Sequence, residues 1–219
     1  MPVKDFMTKK VVYVSPDTTV AAAADMMREQ DLRRLPVIEN DRLVGLVTAG
    51  TMAEASPSKA SSLSIYEMNY LLNKTKIRDI MIKDVVTVSQ YARLEDAIYI
   101  MMKHRVGILP VVDNGQIYGV ITDKDVFKAF LEVSGYGEEG VRAVILADDS
   151  IGVLAKVVDT ITNENLNIKH TVIASRKSGK TVIEVQIDGQ VAIEDLKDKL
   201  LKQGIEVESI EKTAAKSLK

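Results

Sequence analysis

Residues 107–122 read "GILPVVDNGQIYGVIT", and residues 33–48 read "RRLPVIENDRLVGLVT". Each is an aliphatic run, a two-residue break and a second aliphatic run that closes on threonine. Asn114-Gly115 and Asn40-Asp41 tolerate the positive φ that a tight hairpin turn requires, Asn-Gly being the stronger signal. A proline near the start of each first run stands where a missing ladder donor costs least. Both stretches are therefore β-hairpins. Working outward, a displacement of 74 residues lays "VKDFMTKKVVYVSPDTTV" from Val3 onto "IRDIMIKDVVTVSQYARL" from Ile77, with no gap. Fifteen positions across residues 3–54 are identical between the copies. Self-similarity at a fixed offset marks a duplication.

Each copy predicts the same elements. "VVYV" and "VVTV" are short β-branched runs and read as strands. A helix over residues 18–30 puts Val20, Ala23, Ala24 and Met27 on one face, and Leu94, Ala97, Ile98 and Met101 repeat that face. A last helix starts at each closing threonine. One copy alone is a small sheet with two helices, too small to bury its own face. Two copies packed face to face with pseudo-twofold symmetry solve that problem. Between them "AEASPSKASS" is a Ser/Pro-rich break, followed by a linking helix with Ile65, Met68/Asn69 and Leu72 at helical spacing.

The Gly-rich segment "LEVSGYGEEG", residues 131–140, ends the repeat. "VRAVILAD" then reads as a strand, and "SIGVLAKVVDTITNE" as a helix with Ile151, Leu154, Val158 and Ile161 inward. "LNIKHTVIAS" and "KTVIEVQID" are strands joined across Ser178-Gly179. "AIEDLKDKLLKQG" is a helix ending at Gly204, where a left-handed cap favours glycine. "IEVESIEK" closes as a strand. The order βαββαβ is the split motif of ferredoxin-like folds.

Composition bounds the function. The 219 residues are 46% hydrophobic and 27% charged, enough for a buried core. A net charge of −2 and no basic run interleaved with aromatics argue against a nucleic-acid surface. The chain has no cysteine, which excludes disulfides and thiolate chemistry. "MPVKDFMTKK" lacks an apolar signal core and no run of about 18 apolar residues occurs, so a cytoplasmic protein with no membrane partner is expected.

The doubled pattern "VVYVSPDTTVAAAADMM…LPVIENDRLVGLVT" and "VVTVSQYARLEDAIYIMM…LPVVDNGQIYGVITDKDVF" resembles the tandem CBS domain. "ADDSIGVLAKV" with "ENLNI" resembles an ACT domain, an amino-acid-sensing module, although Ile151 stands where the usual Asp-x-Pro-Gly loop has proline. The whole order is similar to bacterial acetoin-utilisation accessory proteins. The expected fold is thus α+β, a CBS pair of small mixed sheets with helices followed by a ferredoxin-like ACT domain. The expected divisions are CBS 1 at 1–56, linker and linking helix at 57–76, CBS 2 at 77–132, linker at 133–140, ACT domain at 141–212 and a frayed tail at 213–219.

The candidate site starts from a difference between the copies: Asp125 occupies the place of Thr51. A carboxylate accepts two hydrogen bonds, and a ribose offers two adjacent hydroxyls. Thr122, at the N-terminus of the last helix, suits an oxygen-rich ligand or a phosphate. The same Thr-x-x-Asp spacing is also close to a capping box with purely local work. The resemblance implies that Asp125, Thr122 and Lys124 are completed by the other copy's first strand and the segment before its Leu-Pro strand. Those segments offer Met7, Val12 and Leu32 as apolar walls, with Arg33 and Arg34, whose planar forks suit phosphate oxygens. The reciprocal site would combine Thr48 and Thr51 with Met81, Val86 and Val106-Gly107-Ile108, without carboxylate or arginine. AMP, ADP, ATP and S-adenosylmethionine are the implied ligands.

In the ACT-like segment, Asp148, Ile151, Gly152 and Asn167 are the candidate amino-acid site, with Asp148 receiving the α-amino group and Asn167 facing the same groove in a paired domain. Alternatively, Asp149 and Ser150 cap the helix and Gly152 serves packing. Sheet-edge pairing of ACT domains implies a homodimer. Met26, Met27, Met101 and Met102 read as core or helix-interface filler. His104 and His170 have no second ligand at metal spacing. With no nucleophile–base pair and no phosphate-cradling Gly loop, a non-catalytic regulator of an unidentified protein is expected, sensing an adenine nucleotide and an amino acid. The alternative is a constitutive homodimeric adaptor with vestigial pockets.

Overall fold

The computed structural model describes residues 1–55, 64–175, 179–189 and 191–217. These divide into two compact units, Met1–Val126 and Phe127–Lys219. The first contains a 3-10 turn (Val3–Asp5), α1 (Val20–Glu29), β1 (Arg34–Glu39), β2 (Arg42–Thr48), α2 (Ala49–Ala55), α3 (Ile65–Lys74), α4 (Ile77–Ile80), α5 (Leu94–His104), β3 (Ile108–Asp113) and β4 (Gln116–Thr122). Helix α6 (Asp123–Val133) starts in this unit and ends in the second.

The two hairpins form as read. Asn40, Asp41, Asn114 and Gly115 all have positive φ, the conformation a two-residue turn with right-handed strand twist demands. β1 and β3 are the edges of one four-stranded sheet, β1-β2-β4-β3, and the prolines Pro36 and Pro110 lie on those edges. The register shifts once in each hairpin, between Val37 and Ile38 and between Val111 and Val112, matching positions of the repeat. The hairpins meet side by side at Arg42 and Gln116.

The copies are also crossed. The Val3 N–H donates to the Ala92 carbonyl (2.9 Å) and the Ile77 N–H to the Thr18 carbonyl (2.9 Å). Thr8 bridges Val120 of β4, while Ile82 bridges Leu46 of β2. Every one of these contacts maps onto its partner by the 74-residue displacement, so the pseudo-twofold symmetry is a property of hydrogen bonds as well as of sequence. Each copy lends its opening segment to the other.

The runs "VVYV" and "VVTV" differ from expectation. Neither is a full strand: Val14 and Val88 each make a single parallel bridge, to Val37 and Val111. The Val14 N–H donates to Pro36 and its carbonyl accepts from Ile38, which saturates the one residue of the run that reaches the sheet edge. The first core cluster joins Val14, Val20, Ala23, Met27, Leu35, Val37, Val47, Met52 and Ile77. Ala24 faces outward and Ile98 is half-buried. Met27 and Met101 are core, whereas Met102 is 74% exposed. In the linking helix, Leu72 packs against the first core; the side chains of Ile65, Met68 and Asn69 lie outside the described residues, as does most of the Ser/Pro-rich break.

The second unit comprises the end of α6, β5 (Gly140–Asp148), α7 (Val153–Thr162), β6 (Asn167–Ser175), β7 (Lys180–Asp188), α8 (Ile193–Lys202) and β8 (Glu206–Thr213). Its antiparallel sheet has the order β6-β7-β5-β8. Alternate residues of β5 and β7, including Val141, Ala143, Ile145, Ile183, Val185 and Ile187, bury one face with Val157 and Ile161 of α7 and Leu196 and Leu200 of α8. The inward face of α7 is Val153, Val157 and Ile161, not Ile151, Leu154 and Val158. Gly152 adopts φ 88° immediately before the helix, so Ile151 belongs to the turn and is fully exposed. Gly204 takes the left-handed conformation expected at the end of α8. Helix α6 runs into the expected linker as far as Val133, and the Lys216 N–H donates to the Gly137 carbonyl, so the segment after β8 is tethered there. Ser178 lies outside the described residues.

The α7 face is tested by truncation. Ile161→Ala is expected to lower unfolding free energy by about 2–5 kcal/mol. Leu154→Ala is expected to cost far less. Denaturant midpoints at constant slope measure both, and equal losses would contradict the assigned face.

Candidate functional site

A cavity of about 490 Å³ opens in the first unit between the start of α6 and the opening segment of the first copy. Its wall includes Val12, Leu32, Arg33, Arg34, Thr122, Lys124 and Asp125. Seven of the eight side chains singled out from the sequence thus share one cavity. Met7 does not line it: its thioether lies against Gly119, where an added Cβ would stand 2.8 Å from Sδ. Met81 covers Gly45 in the same way. These methionines are a symmetric packing pair at the crossed segments.

The start of α6 holds Asp125 in place. Asp125 Oδ2 accepts from the Thr122 N–H (2.8 Å) and from the Thr122 hydroxyl (2.7 Å), while the Asp125 N–H donates back to Thr122 Oγ1 (3.3 Å). The local capping role is therefore real. At the matching position the Thr48 N–H donates to Thr51 Oγ1 (2.9 Å) and the Thr51 N–H to Thr48 Oγ1 (3.1 Å). A hydroxyl does the same work in the first copy. Capping uses only Oδ2 of Asp125, a residue that also lines the cavity.

The electrostatic lining is richer than the sequence reading. Lys10, Arg33, Arg34 and Lys124 face Asp31, Asp123 and Asp125 around the same space. Arg34 is half-buried, and its Nη1 donates to the Gly107 carbonyl (3.2 Å). Lys10, Asp31 and Asp123 were missed. Comparison of the copies carried the signal, since Asp123 stands opposite Ala49 and Lys10 opposite Asp84. Gly107, assigned from sequence to the reciprocal site, is next to Arg34 and Asp123.

The candidate amino-acid site in the second unit is not assembled within one chain. Asp148 is opposite Lys180 at one end of β7, and Asn167 is opposite Asp188 at the other. Eight residues of strand separate those ends, about 26 Å at 3.3 Å per residue. Asp148 Oδ1 pairs with Lys180 Nζ at 2.9 Å. That hydrogen bond and charge hold the Lys180 ammonium above its ordinary range, with Glu206 adding to the effect. Neither Asp149 nor Ser150 caps α7 through its side chain; Gly152 is the capping residue. His170 has local work: Nδ1 meets the Val133 carbonyl (3.1 Å) and Nε2 meets Glu138 Oε1 (3.0 Å). Among the described residues no group of three or more His, Cys, Asp or Glu is arranged to hold a metal ion. No helix there is long and apolar enough to cross a membrane.

The sequence model of the CBS domain matches residues 3–58 and again residues 77–132, half of the chain. The chain belongs to the CBS-domain family. A CBS pair of this kind is a regulatory, ligand-sensing module. Among similar solved structures, a candidate acetoin utilization protein (AcuB) from Vibrio cholerae is 28% identical at a TM-score of 0.53, over 63% of this chain and 98% of that one. CBSX2 in complex with AMP is 29% identical at a TM-score of 0.51, over 60% and 97% of the two chains. Protein MJ1225 of Methanocaldococcus jannaschii is 32% identical over 130 residues, 58% of this chain and 46% of its own length. Inosine-5'-monophosphate dehydrogenase of Thermoplasma acidophilum is 29% identical over 119 residues, 54% of this chain and 21% of that enzyme. The chain therefore spans between about a fifth and a half of these curated relatives.

Glu138 provides a pH test in the second unit. The His170 hydrogen bond holds the Glu138 carboxyl below its ordinary value against the opposing effect of burial, and the charges of His170 and Lys169 reinforce it. A depressed carboxylate contributes stability above its unfolded-state pKa and loses it as pH falls through the folded value. His170→Ala is expected to move the Glu138 titration upward and to flatten the acid limb of the stability profile. Carboxyl-detected NMR titration reads this, and an unmoved Glu138 would contradict it.

Proposed function

We propose that the CBS pair binds one adenine nucleotide or adenosyl ligand in the cavity at Asp125, and that occupancy regulates a partner protein without catalysis. The observation that carries this is the meeting, on one cavity of about 490 Å³, of a carboxylate from the second copy with Arg33 and Arg34 from the first. That volume lies in the usual range for small-molecule sites. Asp125 receives the ribose hydroxyls, Thr122 and the start of α6 donate toward ligand oxygens, and Val12 and Leu32 flank the base. Arg33, Arg34, Lys10 and Lys124 supply positive charge for phosphate. The AMP complex of CBSX2 supports AMP as the first ligand to test, with ADP, ATP and S-adenosylmethionine as comparisons. To regulate, the ligand must prefer one arrangement of the protein over another.

The second unit is, in this reading, a ferredoxin-like ACT module. Its βαββαβ order and its strand order support that assignment. An amino acid held by Asp148, Ile151, Gly152 and Asn167 would need residues from two copies, since Asp148 and Asn167 are at opposite ends of one sheet. The module therefore goes with a homodimer. One observation favours the alternative of a constitutive dimeric adaptor for this end: Asp148 is already paired with Lys180. The proposed divisions remain CBS 1 at 1–56, CBS 2 at 77–132 and ACT at 141–212, with a cytoplasmic location.

The test separates capping from binding. Asp125→Thr installs the cap that the first copy uses, so the unfolding midpoint is expected to stay close to that of the parent. AMP affinity, measured by calorimetry, is expected to fall by about ten- to a hundredfold, the worth of a charge-assisted pair of contacts. Thr51→Ala is expected to leave AMP binding unchanged. Equal effects of the two substitutions, or a parent protein that ignores AMP and the other adenosyl ligands, would refute the reading.

A further inference from the structure

Two pairs of matched positions have exchanged their bulk between the copies. The first copy has Arg33 and Ala49, and the second has Gly107 and Asp123. The backbone is the same in both: the Ala49 N–H donates to the Arg33 carbonyl (2.9 Å), and the Asp123 N–H to the Gly107 carbonyl (3.3 Å). Gly107 does not occupy the left-handed region, so the backbone does not call for glycine there. Space does. A Cβ at Gly107 would stand 2.6 Å from Arg34 Nη2, 3.2 Å from Arg34 Cζ and 2.7 Å from Asp123 Oδ2. The first two groups belong to a guanidinium that also donates from Nη1 to the Gly107 carbonyl.

We propose that Gly107 is a positioning residue of the Asp125 cavity, its missing side chain being the seat that holds the Arg34 guanidinium on the wall for an anionic ligand group. This rests on the nucleotide reading of that cavity and adds a second contribution from the second copy. Without it, Arg34 Nη2 and Cζ would stand 2.6 and 3.2 Å from a methyl group, so the guanidinium would have to leave the place it shares with Asp123. The pairing also explains why the reciprocal site is blank on both sides. Arg33 fills the position matching Gly107, and Ile108 stands at the position matching Arg34.

The experiment uses Gly107→Ala, Arg34→Ala and the double variant in the full chain, with AMP as the probe and thermal unfolding as a check on folding. Either single change is expected to weaken AMP binding by about one to two decades, the worth of a charge-assisted contact. The double variant is expected to be no weaker than Arg34→Ala, since the two act through one group. The Arg34 guanidinium ¹⁵N resonances of the ligand-free protein provide a second readout. They are expected to be sharp in the parent and in Asp125→Thr, and broadened in Gly107→Ala. Unchanged AMP affinity in Gly107→Ala, or losses that multiply in the double variant, would overturn the proposal. Should the parent not bind AMP, the nucleotide reading and the ligand role of Gly107 fall together. The seat itself is then judged by the resonances, and their persistence in Gly107→Ala refutes it.

Discussion

The first unit depends on the crossing of its two copies. Thr8 bridges β4 and Ile82 bridges β2, so the opening segment of each repeat pairs with the hairpin of the other. The same crossing carries Val3 and Ile77 into full burial. It also makes the cavity composite. The segment containing Lys10 and Val12 reaches the start of α6 only because the first copy hands its opening residues to the second. A duplication that packed as two independent domains would have no such place.

Symmetry of the backbone then permits asymmetry of the side chains. Capping of the last helix is needed in both copies, and a Ser, Thr or Asp side chain at a helix start typically contributes about 1 kcal/mol. Thr48 with Thr51 and Thr122 with Asp125 both provide it. The choice between hydroxyl and carboxylate is therefore nearly free as regards folding, and the cavity can decide it. Arg34 and Gly107 show the same logic for bulk. Charge gained on one side of the crossing is matched by space opened on the other. The half-buried guanidinium keeps a hydrogen bond to the Gly107 carbonyl, so its desolvation is offset in part before any ligand arrives.

Much of this was legible in the residues. The fixed displacement exposed the duplication, and the Asn40-Asp41 and Asn114-Gly115 turns located both hairpins, because positive φ is a local demand that few residues meet. Seven of eight candidate nucleotide-site residues line one cavity, and it was the resemblance to the tandem CBS domain that named which segments of the two copies meet there. The misses have one cause, that local pattern does not determine tertiary direction. The β-branched "VVYV" run touches the sheet edge at Val14 alone. Met7 turns to Gly119, since a glycine in a strand leaves a hollow that a thioether fills. The α7 face slipped by one position because Gly152 starts the helix later than the apolar spacing suggested.

The central claim is one functional pocket in a chain that contains two related halves. Native mass spectrometry of the full-length protein with excess AMP reads the number of nucleotides held per chain directly. One AMP per chain, whatever the oligomeric state, is the result the account predicts. Two per chain would mean that the Thr51 side binds as well, and none would mean that the Asp125 cavity is not a nucleotide site; either contradicts it.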